Sequence, residues 1–261
     1  MPTIEENKRI WNNPQTWKNS SGGDHWSGVY GHPDNQWVWT IFPRIHRYVP
    51  TDRILEIAPG LGRWTNYLKE LCKELVVVDL SELCIQRCKE RFSSSTNIAY
   101  YVNDGKTLDM IPDNSIDFVF SFDSLVHADT DVIEAYLTQL ASKLKPNGVG
   151  WLHHSNLESY KQFLFKPFNW SFSKILGFTT HWRSWSMTAE KFVQLVGKAG
   201  MQTISQEKLN WGNRHYFLID CISVFTPKNS TWARPNRILA NEHFNDEEYY
   251  SSKLFALYGK S

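Results

Sequence analysis

The stretch Arg53-Ile-Leu-Glu-Ile-Ala-Pro-Gly-Leu-Gly-Arg63 decides the fold class. Its apolar part, residues 53–58, is short enough to be a buried strand, and it stops at Pro59 and the closely spaced Gly60 and Gly62. Glycines at a strand end let the backbone turn sharply and approach a ligand closely at the start of the next helix. The stretch therefore predicts a strand, a ligand-binding loop and a helix in succession, which is the opening unit of an α/β fold.

Downstream of this unit, apolar runs typical of strands alternate with helical patterns. Short β-branched or apolar runs predict strands, and apolar residues three or four positions apart predict the helices between them. The predicted strands are 53–58, 75–79, 98–102, 116–122, 149–154, 202–209 and 216–226, and the predicted helices are 64–72, 82–92, 131–144 and 188–199. We expect a doubly wound, mostly parallel seven-stranded sheet with a Rossmann-like α/β fold, in which the last two strands form an antiparallel pair.

Composition and charge limit the kinds of partner that the protein can have. The chain has 261 residues, and 28 Lys and Arg against 27 Asp and Glu give a formal net charge of +1. This balance indicates no nucleic-acid surface, and no apolar run approaches the roughly 18 residues of a membrane span. The N-terminus lacks the apolar core of a signal peptide, and the four cysteines form no CxxC pair. We expect a soluble cytoplasmic protein with no nucleic-acid or membrane partner, and the composition does not indicate its oligomeric state.

Aromatic residues are concentrated in two flanking segments. The 12 Trp, 11 Tyr and 15 Phe make up 15% of the chain, and they crowd residues 1–40 and 160–185. Such flanks around an α/β core predict a cap over a ligand site; the alternative is that the flanks only pack on each other. The predicted organisation is an N-terminal aromatic arm at 1–45, a core at 46–226 with a cap insertion at 155–187, and a C-terminal tail at 227–261.

Acidic residues mark the ends of three predicted strands. Glu56 lies at the end of the first strand, Asp79 ends the second and Asp104 follows the third. Because the carboxyl ends of parallel strands meet at one edge of the sheet, these side chains are expected near the glycine loop. A carboxylate at Asp79 can accept both hydrogen bonds of a ribose diol, and Asp104 is placed to meet an adenine amino group. The alternative for each residue is a helix cap or a surface charge.

These motifs resemble those of the class I S-adenosylmethionine-dependent methyltransferases. The matching segments are Glu56-x-Ala58-x-Gly60-x-Gly62, Asp79, Asp104 in Asn-Asp-Gly, and Leu144-Lys-Pro-Asn-Gly148. The resemblance covers roughly residues 50–226 and implies S-adenosyl-L-methionine as the cofactor. The cofactor-binding residues that it implies are Glu56, Ala58, Gly60, Gly62, Arg63, Asp79, Leu80, Asp104, Gly105 and Phe122.

One position departs from the family pattern. Ala58 stands where the family's first glycine is usual, and an alanine still allows the turn if its φ is negative. The full G-x-G-x-x-G of a dinucleotide-binding loop is absent, and Trp64 and Tyr67 occupy the start of the following helix. Since S-adenosylmethionine carries no phosphate, the loop need not provide a phosphate-binding site. The sequence therefore favours a methyltransferase over a nicotinamide-dependent dehydrogenase.

The segment after the fourth predicted strand carries the candidate base. Methyl transfer to a hydroxyl needs proximity and a base, and His127 lies on the loop 121–129 at the carboxyl edge of the sheet. An imidazole titrates near neutral pH, and this segment resembles the post-strand histidine of small-molecule and sugar O-methyltransferases. Asp123 or Asp129 is a candidate to orient the imidazole. The alternative is a surface or helix-capping histidine.

The fifth predicted strand carries two adjacent histidines. Alternation places His153 and His154 on opposite faces, and His154, nearer the carboxyl end, is the second catalytic candidate. Asp123, His127 and His154 together are an alternative metal site, but their spacing matches no ligand motif, and no metal is predicted. The candidate acceptor-binding residues are Trp26, Tyr30, Trp37, His153 and Trp182.

Taken together, the motifs predict an S-adenosylmethionine-dependent O-methyltransferase that acts on a hydroxyl of a small molecule, a natural product or a sugar. The carboxylate of a peptide or small molecule is the alternative acceptor, and it would need positioning but no strong base. A further alternative, of another class, is a non-catalytic binding protein with the methyltransferase-like fold. The intact Glu56, Asp79 and Asp104 argue against it, because a protein without the cofactor has no need of them.

Overall fold

The protein is built around one central β-sheet. The computed structural model describes residues 3–17, 22–164, 183–211 and 217–259. The strands are β1 Thr51–Ile57, β2 Cys72–Asp79, β3 Ile98–Val102, β4 Ile116–Ser121, β5 Leu144–Ser155, β6 Met201–Leu209, β7 Asp220–Pro227 and β8 Arg237–Asn241. In the described residues these eight strands pair in the order β3-β2-β1-β4-β5-β7-β6-β8.

The strand directions confirm the predicted Rossmann-like α/β fold. The strands β1 to β5 pair in parallel, β7 runs antiparallel to β5 and β6, and β8 runs parallel to β6. The expected antiparallel pair is therefore present, but the sheet has eight strands within the described ranges and not the predicted seven. The order reverses between β1 and β4, and this reversal opens a crevice at the carboxyl ends of the strands.

Helices precede, connect and follow the strands. They are α1 Ile4–Trp11, α2 Pro33–Gln36, α3 Phe42–Ile45, α4 Thr65–Leu68, α5 Glu82–Arg91, α6 Thr130–Lys143, α7 Lys161–Leu164, α8 Ala189–Lys198 and α9 Phe244–Tyr258. Hydroxyl side chains fix several starts, because a capping oxygen satisfies an unpaired N–H of the first turn. Thr3 forms a capping box with Glu6 before α1, and Ser81 Oγ accepts from Cys84 N at 3.2 Å before α5. No described helix is both long and apolar enough to cross a membrane.

The sheet is buried on both faces because its central strands are apolar on both sides. Residues 75–78 of β2 are all 0% exposed. One face packs against α6 and α8, which contribute Leu137 and Phe192 among others. The other face packs against the segment before β1 and against α9, which contribute Ile41 and Phe244. Both faces are therefore closed, and the crevice edge is the part of the sheet left for a ligand.

Three predicted segments differ from the structure. The helix predicted at 64–72 ends after α4 and a short turn, Lys69–Leu71, because Cys72 already pairs with Thr51 as the first residue of β2. The C-terminal tail predicted at 227–261 contains β8 and α9. Of the cap insertion predicted at 155–187, residues 165–182 lie outside the described residues.

Candidate active site

A large cavity lies at the carboxyl edge of the sheet, where the strand order reverses. Its volume is about 1080 Å³, which is at the upper limit of the roughly 300–1,000 Å³ typical of small-molecule sites. The loop after β1, the ends of β2 and β4, the N-terminal arm and residues near the C-terminus all contribute to its wall. The cavity therefore has room for a cofactor and a second small molecule.

The loop after β1 has a left-handed backbone at three positions. The φ angle is +58° at Ala58, +59° at Gly60 and +83° at Gly62. The condition of a negative φ at Ala58 is therefore not met, and the strain of a left-handed alanine is about 1–2 kcal/mol. Ala58 and Gly60 line the cavity, whereas Gly62 faces Phe92, whose Cε2 would lie 2.6 Å from an added Cβ. The loop thus presents closely approaching backbone to a ligand.

Asp79 lies on the cavity wall at the end of β2, next to Leu80. Its Oδ1 accepts a hydrogen bond from Ser81 N at 2.8 Å, and its Oδ2 accepts one from Gly60 N at 3.2 Å. Burial raises the pKa of Asp79 to about 6, although these backbone hydrogen bonds lower it. Each carboxylate oxygen keeps a second acceptor position, so Asp79 fits the ribose diol of S-adenosylmethionine.

Two of the predicted acidic residues do not reach the cavity wall. Glu56 is 1% exposed, Thr65 Oγ1 donates to its Oε2 at 2.6 Å, and burial raises its pKa to about 8. Asp104 is exposed, and its Oδ1 accepts from the backbone N–H of Thr107 at 2.7 Å. The expected direct ligand contacts of both residues are therefore corrected: Glu56 supports the loop from beneath, and Asp104 closes a turn. Gly105 lines the cavity next to Asp104.

The loop after β4 places Phe122, Asp123 and His127 on the cavity wall. Asp123 has a φ of +62°, and its Oδ2 accepts a hydrogen bond from Arg63 Nη2 at 2.9 Å. The ring of His127 lies 5.8 Å from the ring of Trp11, centroid to centroid. The candidate base is therefore at the cavity, beside the N-terminal arm.

His154 lies on the sheet face covered by α8 and is not part of the cavity wall. Its ring stacks on Phe192 with centroids 4.3 Å apart, and its Nε2 lies 2.8 Å from Ser223 Oγ. Burial lowers the pKa of His154 to about 4. The expectation that His154 is catalytic is corrected, because α8 separates this face of β5 from the ligand. In the described part of the chain, no three His, Cys, Asp or Glu side chains cluster closely enough to hold a metal ion.

His153 faces the other side of the sheet, beneath the loop after β4. Its ring stacks on Phe122 at 4.7 Å, and its Nδ1 accepts a hydrogen bond from Asp123 N at 3.2 Å. Its Nε2 lies 3.4 Å from Asp220 Oδ2, and the residue is 0% exposed. The expected contact of His153 with an acceptor is corrected, because the imidazole supports the loop backbone from within the core. Asp129 is also engaged, since its Oδ1 accepts from Ser184 Oγ at 2.6 Å.

Of the aromatic residues predicted to bind the acceptor, one lines the cavity and two pack in the protein interior. Trp26 lines the cavity and is 42% exposed. Tyr30 is 0% exposed, and Trp37 stacks on Tyr67 with centroids 4.7 Å apart; neither belongs to the wall. Tyr30 and Trp37 are therefore corrected from ligand contacts to packing residues. Trp182 lies outside the described residues.

The N-terminal arm contributes wall residues that the sequence did not single out. Ile4, Trp11 and Trp17 line the cavity. The hydroxyl of Ser81 anchors this segment beside Asp79 by donating to Asn12 Oδ1 at 2.8 Å. The clustering of tryptophans predicted an arm over the site, but only the fold shows which of them face the ligand.

A second part of the wall comes from residues far apart in sequence. We call Phe122, Asp123, Arg183, Trp211 and Glu248 the Trp211 wall; all line the cavity, and the Phe122 and Trp211 rings lie 5.2 Å apart. The guanidinium of Arg183 donates to both oxygens of Asp220, at 2.6 and 2.7 Å. Although burial opposes it, this pairing holds the pKa of Asp220 down to about 2. Sequence reasoning missed Arg183, Trp211 and Glu248, because no local motif marks them.

The chain is similar to methyltransferases in sequence pattern and in fold. Residues 54–148 match the family model of a methyltransferase domain, and no curated protein matches the chain. An S-adenosylmethionine-dependent methyltransferase from Clostridium acetobutylicum ATCC 824 is 14% identical, with a TM-score of 0.56 over 74% of this chain and 91% of that one. The N-methyltransferase NodS from Bradyrhizobium japonicum WM9, in complex with S-adenosyl-L-homocysteine, is 14% identical, with a TM-score of 0.55 over 86% of this chain and 98% of that one. The cyclase SpnF is 12% identical, with a TM-score of 0.59 over 87% and 97%. Such identities establish the shared fold and leave the acceptor open.

Proposed function

We propose that this chain, a class I S-adenosylmethionine-dependent methyltransferase, methylates a hydroxyl oxygen of a small-molecule, natural-product or sugar acceptor. The observation that carries the proposal is the position of His127. It lies on the wall of the same cavity as Asp79 and the glycine loop, and this cavity has room for a second molecule. A hydroxyl acceptor needs a base at such a position, because its proton must leave as the new bond to carbon forms.

The chain's own residues divide into a cofactor side and an acceptor side. Bound S-adenosylmethionine supplies an electrophilic methyl group. Asp79 would hold the ribose diol, and the left-handed backbone at Ala58 and Gly60 allows close approach of the ligand. Arg63 fixes Asp123 at the cavity wall through their 2.9 Å ion pair. We assign Asp123 to positioning the acceptor, since its carboxylate can accept a hydroxyl hydrogen bond.

The charges of the wall favour a hydroxyl over the alternative carboxylate. A carboxylate acceptor would be held best by an unpaired cation. In the described wall, Arg63 pairs with Asp123, Arg183 pairs with Asp220, and Lys106 pairs with Asp131 at 2.7 Å. Each positive charge therefore already has its counter-ion. A neutral acceptor binds there without displacing one of these pairs.

The test is methyl transfer by His127→Ala over a panel of hydroxyl, carboxyl and amine acceptors. We expect kcat to fall by at least about a hundredfold, with little change in the affinity for S-adenosylmethionine, since the base acts on the acceptor only. The exposed His46→Ala serves as the matched control and should keep full activity. The product, isolated and examined by NMR, should be a methyl ether.

Two results would contradict this proposal. A methyl ester as the product, with full activity in His127→Ala, would move the function to carboxylate methylation. Binding of S-adenosylmethionine without transfer to any acceptor class would favour the non-catalytic alternative.

A further inference from the structure

The C-terminal helix α9 is held to the sheet by partly buried charge pairs. Arg44 Nη2 donates to Glu247 Oε1 at 2.6 Å, and Arg44 Nε donates to Glu207 Oε2 at 2.6 Å. Arg44 therefore joins α9 to β6, and Phe244 anchors the start of the helix at 0% exposure. A side chain on this part of α9 has a defined position relative to the sheet.

Glu248, the next residue along α9, lines the cavity. Its side chain is part of the Trp211 wall, and its Oε1 is buried without a hydrogen-bond partner among the described residues. An unpaired buried carboxyl oxygen is costly, because it has lost water and gained nothing in return. Burial raises the pKa of Glu248 to about 7, although the neighbouring donors Trp211 and Tyr30 lower it. Glu248 thus contributes a carboxyl group to the cavity wall beside Trp211.

The surroundings of Glu248 indicate the chemistry of the group that would fill this site. Trp211 and Phe122 give the Trp211 wall flat apolar surfaces, and Trp26 lines the same cavity. Arg63 and Arg183 are already paired with carboxylates, so neither offers a free positive charge to an anionic ligand. A carboxyl group that gains and loses a proton near neutral pH can both donate to and accept from a hydroxyl. These features match an uncharged ring that carries several hydroxyl groups.

We propose that Glu248 binds the methyl acceptor by hydrogen bonding to a hydroxyl of an uncharged carbohydrate ring that lies against the Trp211 wall. This inference rests on the proposed function and narrows its acceptor to sugars. In this arrangement Glu248 selects and orients the ring, while His127 takes the proton of the hydroxyl that is methylated. The acceptor's recognition then depends on a residue in the C-terminal helix, outside the methyltransferase core.

The test measures sugar binding without methyl transfer. The full chain, saturated with S-adenosyl-L-homocysteine, is titrated with methyl pyranosides of the common hexoses and 6-deoxyhexoses, and binding is followed by saturation-transfer NMR. We expect at least one glycoside to bind the native protein and to bind Glu248→Gln at least about tenfold more weakly, as for loss of a hydrogen bond to a charged group. The matched control is Asp246→Asn, which makes the same charge change at an exposed residue of α9 and should bind like the native protein.

A series of monodeoxy glycosides identifies the hydroxyl that Glu248 binds. Removal of that hydroxyl should weaken binding to the native protein about tenfold and leave binding to Glu248→Gln unchanged. Equal glycoside affinities for the native protein and Glu248→Gln would overturn the proposal, and so would binding of none of the glycosides. A lower kcat in Glu248→Gln with unchanged glycoside affinity would also overturn the proposal, because it would indicate that Glu248 acts as a base and not in acceptor binding. If the glycosides bind through Glu248 but no methyl ether forms, only the proposed function fails.

Discussion

Left-handed backbone at residues other than glycine occurs at three positions of the described chain: Ala58, Asn114 and Asp123. Two of them, Ala58 and Asp123, lie on the cavity wall. Strained residues persist only where their surroundings hold them, and they concentrate at ligand sites. Asp123 is held by Arg63 and His153, and Ala58 N donates to Val78 O at 2.8 Å. The cavity is therefore shaped by backbone that the rest of the fold keeps in place.

The strain at Ala58 predicts that Ala58→Gly stabilises the protein. Glycine removes about 1–2 kcal/mol of left-handed strain, and its greater freedom in the unfolded chain takes back about 0.4–1 kcal/mol. We expect the free energy of unfolding in urea to rise by about 0.5–1 kcal/mol. As a control, Ala141→Gly within α6 should lower the free energy of unfolding by about 1 kcal/mol, because helical backbone favours alanine. Destabilisation by Ala58→Gly would mean that the alanine methyl group makes packing contacts worth more than the strain.

At the level of elements, the sequence predicted the strands with apolar runs. It did not predict β8 and α9, which bury few of their side chains. The strands β1, β2, β4 and β5 were predicted because their apolar runs must be covered on both faces. The strand β3 was predicted from its apolar run as well, although Tyr101 and Val102 are exposed. By contrast, β8 pairs with β6 but leaves Ile238 61% and Leu239 56% exposed, so it has no strand-like alternation of buried and polar residues. Helix α9 buries only Phe244 and Ser251 along its length, which leaves no helical stripe to recognise.

The sequence predicted those residues of the candidate site whose positions follow from the strands and loops that carry them. The glycine loop and Asp79 follow from the strand–loop–helix order, and His127 follows from its place after a strand at the same edge. Alternation correctly separated His153 and His154, but it cannot tell which face α8 covers. Glu248 lies on the cavity wall because α9 packs against the sheet, where Arg44 joins it to β6. No local sequence motif indicates such long-range pairing.

The N-terminal arm is the element whose stability should depend most on the cofactor. Neither α1 nor the turn Pro14–Trp17 contains a buried residue, although Trp11 and Trp17 line the cavity. We therefore expect amide hydrogen exchange in residues 4–17 to slow markedly when S-adenosylmethionine binds, because the ligand supplies the missing contacts. Mass spectrometry of the free and cofactor-saturated protein measures this change. In Asp79→Asn the same protection should require about tenfold more cofactor, and equal exchange with and without the cofactor would assign the arm a static packing role.

At the scale of the whole molecule, the cavity is closed by segments from both sides of the core sequence. Helix α1 covers it beside Asp79, and α9 covers it at the Trp211 wall. Carboxyl groups are buried at the cavity wall and beneath it, and burial raises the pKa of Glu56 to about 8, of Glu248 to about 7 and of Asp79 to about 6. Each of these groups binds a proton more tightly in the folded protein than in the unfolded chain. Stability therefore falls as pH rises from the unfolded pKa of each group to its folded pKa.

Glu56 has the highest of these pKa values, so its effect can be isolated at mildly alkaline pH. Between pH 7 and 8 folded Glu56 still holds most of its proton, whereas in the unfolded chain, with a reference pKa of 4.5, it is fully ionised. Unfolding then releases a proton, and the slope of up to about 1.4 kcal/mol per pH unit should lower the free energy of unfolding by about 1 kcal/mol over this interval. Urea titrations at pH 7.0, 7.5 and 8.0 measure it.

The decisive comparison is with Glu56→Gln, which keeps an acceptor for Thr65 Oγ1 but carries no titrating proton. Its free energy of unfolding should fall much less between pH 7 and 8 than that of the native protein. His154 contributes little in this interval. Its pKa is about 4 in the folded protein and near 6.5 in the unfolded chain, so it lowers the stability mainly as the pH falls below about 6.5. Asp79 is already ionised there, and Glu248 contributes only the last part of its change. If the free energy of unfolding changes with pH in the same way in the native protein and in Glu56→Gln, Glu56 is ionised in the folded protein. Its Oε1 would then have a hydrogen-bond partner such as a buried water.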